Sequence, residues 1–356
     1  MGQFNRRKFM NRLCLLTPAI AICPFARGIS MAEESDNLTN MYSNPETGSG
    51  YIPGYIKLHQ SGELKARAEV LKSYLTNCRL CPRECEKDRT RRQTGECQAT
   101  DRLRISSFHP HHGEERPLSG TRGSGTIFFS HCNMLCVFCL NWEISQGGSG
   151  EPGSVNELAG MMLALQRNRC HNINVVTPTH YSPQIVDALD IAARRGLQLP
   201  LVWNTSGWEK LEILQLLDGV VDIYLADFKY TDSKIAGKYS IGAHSYPEVT
   251  KAGLIEMHRQ TGVARPDPET GLMKRGLMIR HLVMPNNVSG SVAAMKWIAG
   301  NLPADTYVNI MAQYNPVFMA HKYPEINRRI TLREYSDAVN AAIKAGLTNL
   351  DIQGSY

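Results

Sequence analysis

At 356 residues the chain has room for one large folded domain with appendages, and its apolar and aromatic shares, 42% and 8%, are those of an ordinary globular protein. The formal charge of +6 is concentrated at the front: Arg6, Arg7, Lys8, Arg12 and Arg27 stand in residues 1–32 with no acid, which leaves +1 for the rest. A near-neutral body lacks the electrostatic footprint of a nucleic-acid binder, and ten cysteines, seven of them in two tight clusters, argue for metal ligation over a secreted disulfide scaffold.

The charged start Asn5-Arg6-Arg7-Lys8-Phe9 leads into the apolar run Leu13–Phe25. That run is too short to span a bilayer as a mature helix and has the length of a signal h-region, so no stable membrane span is expected. Two arginines followed at one remove by Phe9 resemble a twin-arginine signal, and Ser30-Met31-Ala32 offers a cleavage site after Ala32. Residues 1–32 are therefore expected to direct export to the periplasm, with a cytoplasmic protein as the alternative. Ile22 before Cys23 argues against a lipoprotein site. Residues 33–62, rich in Ser, Asn, Gly and Pro, read as a linker or a surface-hugging arm.

A helix over Glu63–Thr76 is expected from the apolar spacing of Leu64, Ala68, Leu71 and Leu75. It delivers the second cysteine cluster, Cys78, Cys81, Cys85 and Cys97, within a segment spanning residues 63–120. Four thiolates with a Cys-x2-Cys start can hold zinc or an iron–sulfur centre. The arginines Arg79, Arg83, Arg89, Arg91 and Arg92 either offset thiolate charge or solvate the surface, and the segment has too few aromatics to stack on nucleic acid. His109-Pro110-His111-His112-Gly113-Glu114-Glu115 reads as a loop, and Gly120–Gly125 as a flexible turn.

From there strands and helices alternate. Strands are predicted at Ile127–Ser130, Ile173–Thr177, Leu199–Asn204, Val221–Ala226, Leu277–Met284 and Tyr307–Met311. Helices are predicted at Val155–Arg167, Pro183–Arg195, Trp208–Leu217, Tyr246–Gly262, Val292–Asn301 and Leu332–Ala345, with Asn349–Gln353 extended. Short apolar strands separated by amphipathic helices predict an α/β fold with a parallel sheet and right-handed crossovers. Polar groups follow strand after strand: Thr177-Pro178-Thr179-His180, Asn204-Thr205-Ser206-Gly207, then Asp227-Phe228-Lys229. Function gathers at such carboxyl ends in parallel-strand folds. Cys170, beside His171, reads as a structural thiol.

The first of these strands runs into Ser130-His131-Cys132-Asn133-Met134-Leu135-Cys136-Val137-Phe138-Cys139, three cysteines spaced Cys-x3-Cys-x2-Cys. Thiolates this close can wrap one metal centre. The spacing resembles the signature of the radical S-adenosylmethionine (SAM) superfamily. The stretches Gly125–Ser145, Asn174–Pro183, Leu201–Trp208, Asp222–Tyr230, Gly276–Pro285 and Tyr307–Pro316 resemble the iron–sulfur branch related to pyruvate formate-lyase activating enzyme.

The resemblance implies a partial TIM-type (β/α)6 barrel over residues 121–316, behind the N-terminal Cys-rich segment and followed by a C-terminal helical extension, 317–356. It implies a 4Fe–4S cluster on Cys132, Cys136 and Cys139 that reductively cleaves SAM to a 5′-deoxyadenosyl radical. A protein substrate, as for an activase or maturase, or a small molecule would then lose a hydrogen atom. A reductant such as flavodoxin or ferredoxin is implied as partner. Asp227 and Lys229 match the branch's Asp-x-Lys motif, and His281 its Arg-His-x-Val-x-Pro stretch, where a ribose contact or a neutral core histidine is expected. Where the activating enzymes carry a Gly-Gly-Glu turn for the methionyl ammonium, this chain has Thr177, Thr179 and His180; Asn204, with Ser206 close by, stands where they carry an acid. Phe138 is expected beside the adenine or in the core. A cluster protein without SAM turnover, acting in electron transfer or as a metal carrier, is the alternative.

Overall fold

The computed structural model describes residues 51–353. The signal-like residues 1–32, with Cys14 and Cys23, and most of the expected linker lie outside the described residues. Within the expected linker, Gly54–Gln60 forms a helix, α1, which corrects the prediction there. It is held because Tyr55 is fully buried and its hydroxyl donates to Leu199 O at 2.9 Å. Asp222 adds a clasp: it accepts from Tyr51 OH at 2.6 Å, Gly54 N at 2.9 Å and Leu201 N at 2.8 Å.

Helix α2 (Glu63–Ser73) follows, then the Cys-rich segment, then strand β1 (Leu103–His111). Here the histidine-rich stretch departs from the expected loop. β1 pairs antiparallel with β2 (Ser124–Phe129), with Pro110 opposite Gly125. Its other partner, β3 (Glu151–Gly153), reaches only Leu103–Ile105, so Pro110 lies where β1 is an edge and its missing N–H breaks no ladder. Short helical turns α3 (Arg116–Ser119) and α4 (Trp142–Ser145) precede α5 (Val155–Arg167), which starts at a Ser154/Glu157 capping box.

The alternation then runs β4 (Ile173–Val176), α6 (Ser182–Arg194), β5 (Leu201–Thr205), α7 (Leu211–Leu216), β6 (Ile223–Asp227), α8 (Ser233–Tyr239), α9 (Tyr246–Thr261), β7 (Gly276–Leu282), α10 (Ser291–Asn301), β8 (Tyr307–Met311), α11 (Leu332–Lys344) and β9 (Leu350–Ile352). Together they make one nine-stranded sheet in the order β3-β1-β2-β4-β5-β6-β7-β8-β9. The run from β2 to β9 is parallel, seven strands where six were expected, because the C-terminal extension adds β9 beside β8. Among the described residues no ladder joins the outer strands β3 and β9.

Side chains alternate across the strands, and both faces of the sheet are covered. Trp203, Tyr224, Ile279 and Val308 belong to the large core under the helices. Their neighbours Val202, Ile223, Met278 and Tyr307 form a smaller apolar cluster on the other face, capped by Leu118 and Met273. Further along the same face that cluster gives way to polar residues.

Candidate functional site

β2 ends at Phe129 and the chain turns at once into the three-cysteine loop. His131 and Leu135 hold left-handed backbone there, with φ of +74° and +54°, a conformation that non-glycine residues keep only where surroundings enforce it. Three bonds of 2.9 Å enforce it: Val137 N donates to Tyr239 O, Met319 N to Val137 O, and Gln146 Nε2 to Cys136 O. Cys136 is buried, Cys132 and Cys139 half-buried.

The three thiols feel one another. Burial, and then the neighbouring Cys136 and Cys139, push Cys132 up to about 12. Burial pushes Cys136 up to about 11, against the pull of the Lys229 ammonium. Each sulfur has a polar neighbour of the kind that stabilises a thiolate: Ser240 Oγ lies 3.0 Å from Cys136 Sγ, Ser145 Oγ 3.2 Å from Cys139 Sγ, and Met134 N donates to Cys132 Sγ at 3.4 Å.

Lys229 belongs to a second group, at the ends of β5, β6 and β7. Asp227 Oδ1 accepts from Arg280 Nε at 2.8 Å, and Oδ2 accepts from Lys229 Nζ. Burial opposes charge on Asp227, yet Arg280 and Lys229 hold its carboxyl below the usual range. Burial opposes charge on Lys229 too, and Asp227 and Cys136 outweigh it. Arg280 also donates from Nη2 to Asn204 Oδ1 at 2.6 Å and faces Glu114 Oε2 at 3.6 Å. Asn204 Nδ2 closes the ring on Glu114 Oε1 at 3.2 Å. Burial pushes Glu114 up to about 7 despite Arg280.

Cys78, Cys81, Cys85 and Cys97 also gather. Cys81 feels Cys97 and Cys78, and Cys85 feels Cys78 and Cys97. Gly95 lets Cys85 in, since a Cβ there would collide with its Sγ. Two arginines dock the segment onto the sheet. Buried Arg89 donates to His180 O at 2.7 Å, and Arg83 donates to Asn133 O at 2.5 Å and Ile241 O at 2.6 Å while lying over the Trp208 ring. Among the described residues, no three or more His, Cys, Asp or Glu side chains lie at the spacing of ligands around one metal ion.

The other expected residues divide. Phe138 is buried against Tyr314, with ring centroids 5.6 Å apart. Thr177, in left-handed backbone with φ of +57°, donates its N–H to Asn204 O at 2.9 Å, beside the Arg280 network. The Ser206 carbonyl accepts from Tyr246 OH at 2.8 Å.

Three of the expected residues are engaged within the protein. Thr179 gives its hydroxyl to Glu209 Oε1 at 2.7 Å. His180 is buried with Nε2 2.9 Å from Ser130 O, and burial pushes it down to about 3, so it is neutral and faces the protein interior. His281 makes no open contact either, because Phe228 O takes Nδ1 at 2.7 Å and Ser291 Oγ takes Nε2 at 2.9 Å. The pleat explains this: Arg280 points to the polar face, so the adjacent His281 points to the helices.

Arg280, Glu114 and Glu209 escaped the sequence reading. Arg280 stood in a recognised stretch, and strand alternation could have singled it out. Glu114 lay hidden in a histidine-rich run. Glu209 is fully buried and takes Thr179, Thr205 and Trp203 on Oε1, leaving Oε2 without a partner.

No family model matches the chain. It is similar to the uncharacterized protein MJ0674 of Methanocaldococcus jannaschii, at 31% identity over 294 residues that cover 80% of this chain and 79% of the relative.

Proposed function

The chain belongs to the family of MJ0674, and we propose that it is a radical SAM enzyme built on a partial barrel, with a 4Fe–4S cluster on Cys132, Cys136 and Cys139. The observation that carries this reading is that Cys136 Sγ lies 3.0 Å from Ser240 Oγ, which the hydroxyl of Tyr230, next to Lys229, reaches at 3.1 Å, with the Lys229 ammonium pulling the thiol's pKa down. The cysteine loop follows β2 and the Asp-x-Lys turn follows β6, with β4 and β5 between them in the sheet, yet the ammonium and the thiol are electrostatic neighbours.

The donor set suits the group: three thiols on one loop, not gathered around a single ion, would supply thiolate ligands to an iron–sulfur cluster. When bound, the cluster and SAM supply one-electron cleavage of a carbon–sulfur bond and hydrogen abstraction from substrate. The chain does the rest. Lys229 offers a point charge to the methionyl carboxylate, and Asp227, kept ionised by Arg280, aims it. Asn204 and the Thr177 turn frame the same rim. Phe138 and Tyr314 wall one side against water. The substrate is a protein or a small molecule that yields a hydrogen atom.

An electron-transfer or metal-carrier protein is the second reading, favoured by the second thiol group docked beside the first. Anaerobically reconstituted protein, given SAM and a low-potential reductant, should form 5′-deoxyadenosine, and Cys132→Ala should not. Equal rates in both would remove the enzyme reading. No described helix is long and apolar enough to cross a membrane, and we further propose export through the twin-arginine route on the strength of Arg6-Arg7.

A further inference from the structure

The two thiol groups meet at Asn133. Its carbonyl accepts from Arg83 Nε at 2.5 Å, and Arg83 sits between Cys81 and Cys85 in the chain. Its side chain lies against the Cys81 thiol, and its Oδ1 is 4.0 Å from Cys132 Sγ. One fully buried amide is thus bracketed by a sulfur from each group. Its Nδ2 makes no full hydrogen bond, a costly state for a buried donor, and a metal-bound thiolate or sulfide is an acceptor that would relieve it. Arg89 makes a second link: it lies 3.9 Å from Cys78 Sγ and donates to His180 O, while His180 Nε2 is 2.9 Å from Ser130 O, two residues before Cys132.

A zinc ion on four thiolates is redox-silent, and holding a fold does not require its ligands to share an amide with a neighbouring centre. We propose that Cys78, Cys81, Cys85 and Cys97 hold a redox-active iron–sulfur centre, and that Asn133 bridges it to the Cys132–Cys136–Cys139 loop. Electrons then enter the reaction site through the second thiol group. This rests on the function proposed above for the three-cysteine loop. Each transfer moves one electron: a low-potential carrier of the flavodoxin or ferredoxin class is oxidised, and the second centre is reduced. That centre is reoxidised as the electron passes to the loop. No bond is made or broken and no proton moves. The guanidinium groups of Arg83 and Arg89 offset the negative charge gained on reduction.

The test uses the full chain loaded anaerobically with iron and sulfide. The expected result is about eight irons per chain, falling to about four in a Cys81→Ala, Cys97→Ala variant. If that variant does not fold, Cys85→Ala, at a half-buried ligand, replaces it. Electron paramagnetic resonance of the dithionite-reduced protein should show two interacting centres. Asn133→Leu should keep the iron and the spin–spin splitting, which the distance between the centres sets, and slow reduction of the three-cysteine centre, and Asn133→Gln should restore part of the rate. Stoichiometric zinc in place of the extra iron, or an Asn133→Leu variant with wild-type rates of reduction, would overturn the proposal. Adding SAM separates the two readings. If the three-cysteine signal shifts while the second group holds zinc, the relay fails and the enzyme stands. If both centres hold iron and interact but SAM shifts nothing, the relay stands and the enzyme fails.

Discussion

Arg280 and Asp227 stand opposite one another in the β6–β7 ladder, and their side chains meet above it with Nε 2.8 Å from Oδ1. Both are largely withdrawn from water, with side chains 16% and 11% exposed. A charge in such a place is tolerated because its partner is fixed by strand register.

Removing one partner should therefore cost more than removing both. Arg280→Met leaves Asp227 to Lys229 alone and takes the counter-charge from Glu114, and is expected to destabilise the fold by up to about 3–5 kcal/mol, the usual cost of breaking a buried pair. Pairing it with Asp227→Asn should recover part of that. Urea unfolding at neutral pH measures both, and a single-mutant cost below about 1 kcal/mol would mean that water screens the pair.

Acid should weaken the protein through its buried histidines. His281 stays neutral in the folded chain down to about 4, whereas a free imidazole takes its proton near about 6.5. Between these values the unfolded chain binds more protons. Stability from this group is whole above about 6.5 and falls by about 1.4 kcal/mol per unit as pH drops. His180 acts with the same sign down to about 3. Asp227, with its lowered pKa, loses its contribution only below the ordinary carboxylate range. The stability gap between wild type and His281→Gln should therefore shrink by about 2 kcal/mol from pH 7.5 to pH 5. A gap that does not change would show that His281 titrates normally.

Gly207 should tolerate no side chain. Its φ is +82°, and a Cβ would run into Asp227 O. Gly196 has a similar φ, +90°, with nothing near the same atom. Gly207→Ala should cost well over about 1 kcal/mol and clearly more than Gly196→Ala. Thermal melting of the two variants decides it, and equal losses would mean that backbone conformation alone matters.

Gly95→Ala should disturb one thiol group and spare the other. The added methyl takes the space of Cys85 Sγ, so Cys85 should react faster with a thiol reagent under native conditions. Cys132, Cys136 and Cys139 should keep their wild-type rates. Unchanged Cys85 reactivity would show that Gly95 yields without moving it.

Much of this arrangement was legible in the sequence. Val155–Arg167 and Tyr307–Met311 form where apolar spacing predicted them, since helix and strand periods survive in any context that buries one face. β1 was not legible, because His109-Pro110-His111 carries loop chemistry and only pairing with β2 makes it a strand. The cysteine groups announced themselves through spacing, whereas Arg280, Glu114 and Glu209 did not. A lone arginine or glutamate looks solvated in sequence, and only the tertiary structure brings Arg280 to Asp227 or Glu209 under Thr205. The side His281 faces was hidden for a related reason: a motif names neighbours, but the pleat decides which of two adjacent residues turns inward.

The Asp222 clasp fixes where the chain enters this fold. Tyr51 and Gly54 are held beside Leu201, at the amino-terminal start of β5, while Cys132 and Lys229 lie past the carboxyl ends of β2 and β6. The two ends of the sheet thus carry different features, the entry of the described chain at one and the three-cysteine loop with the Asp-x-Lys turn at the other. A group attached at Tyr51 would therefore sit at the end of the sheet opposite Cys132 and Lys229.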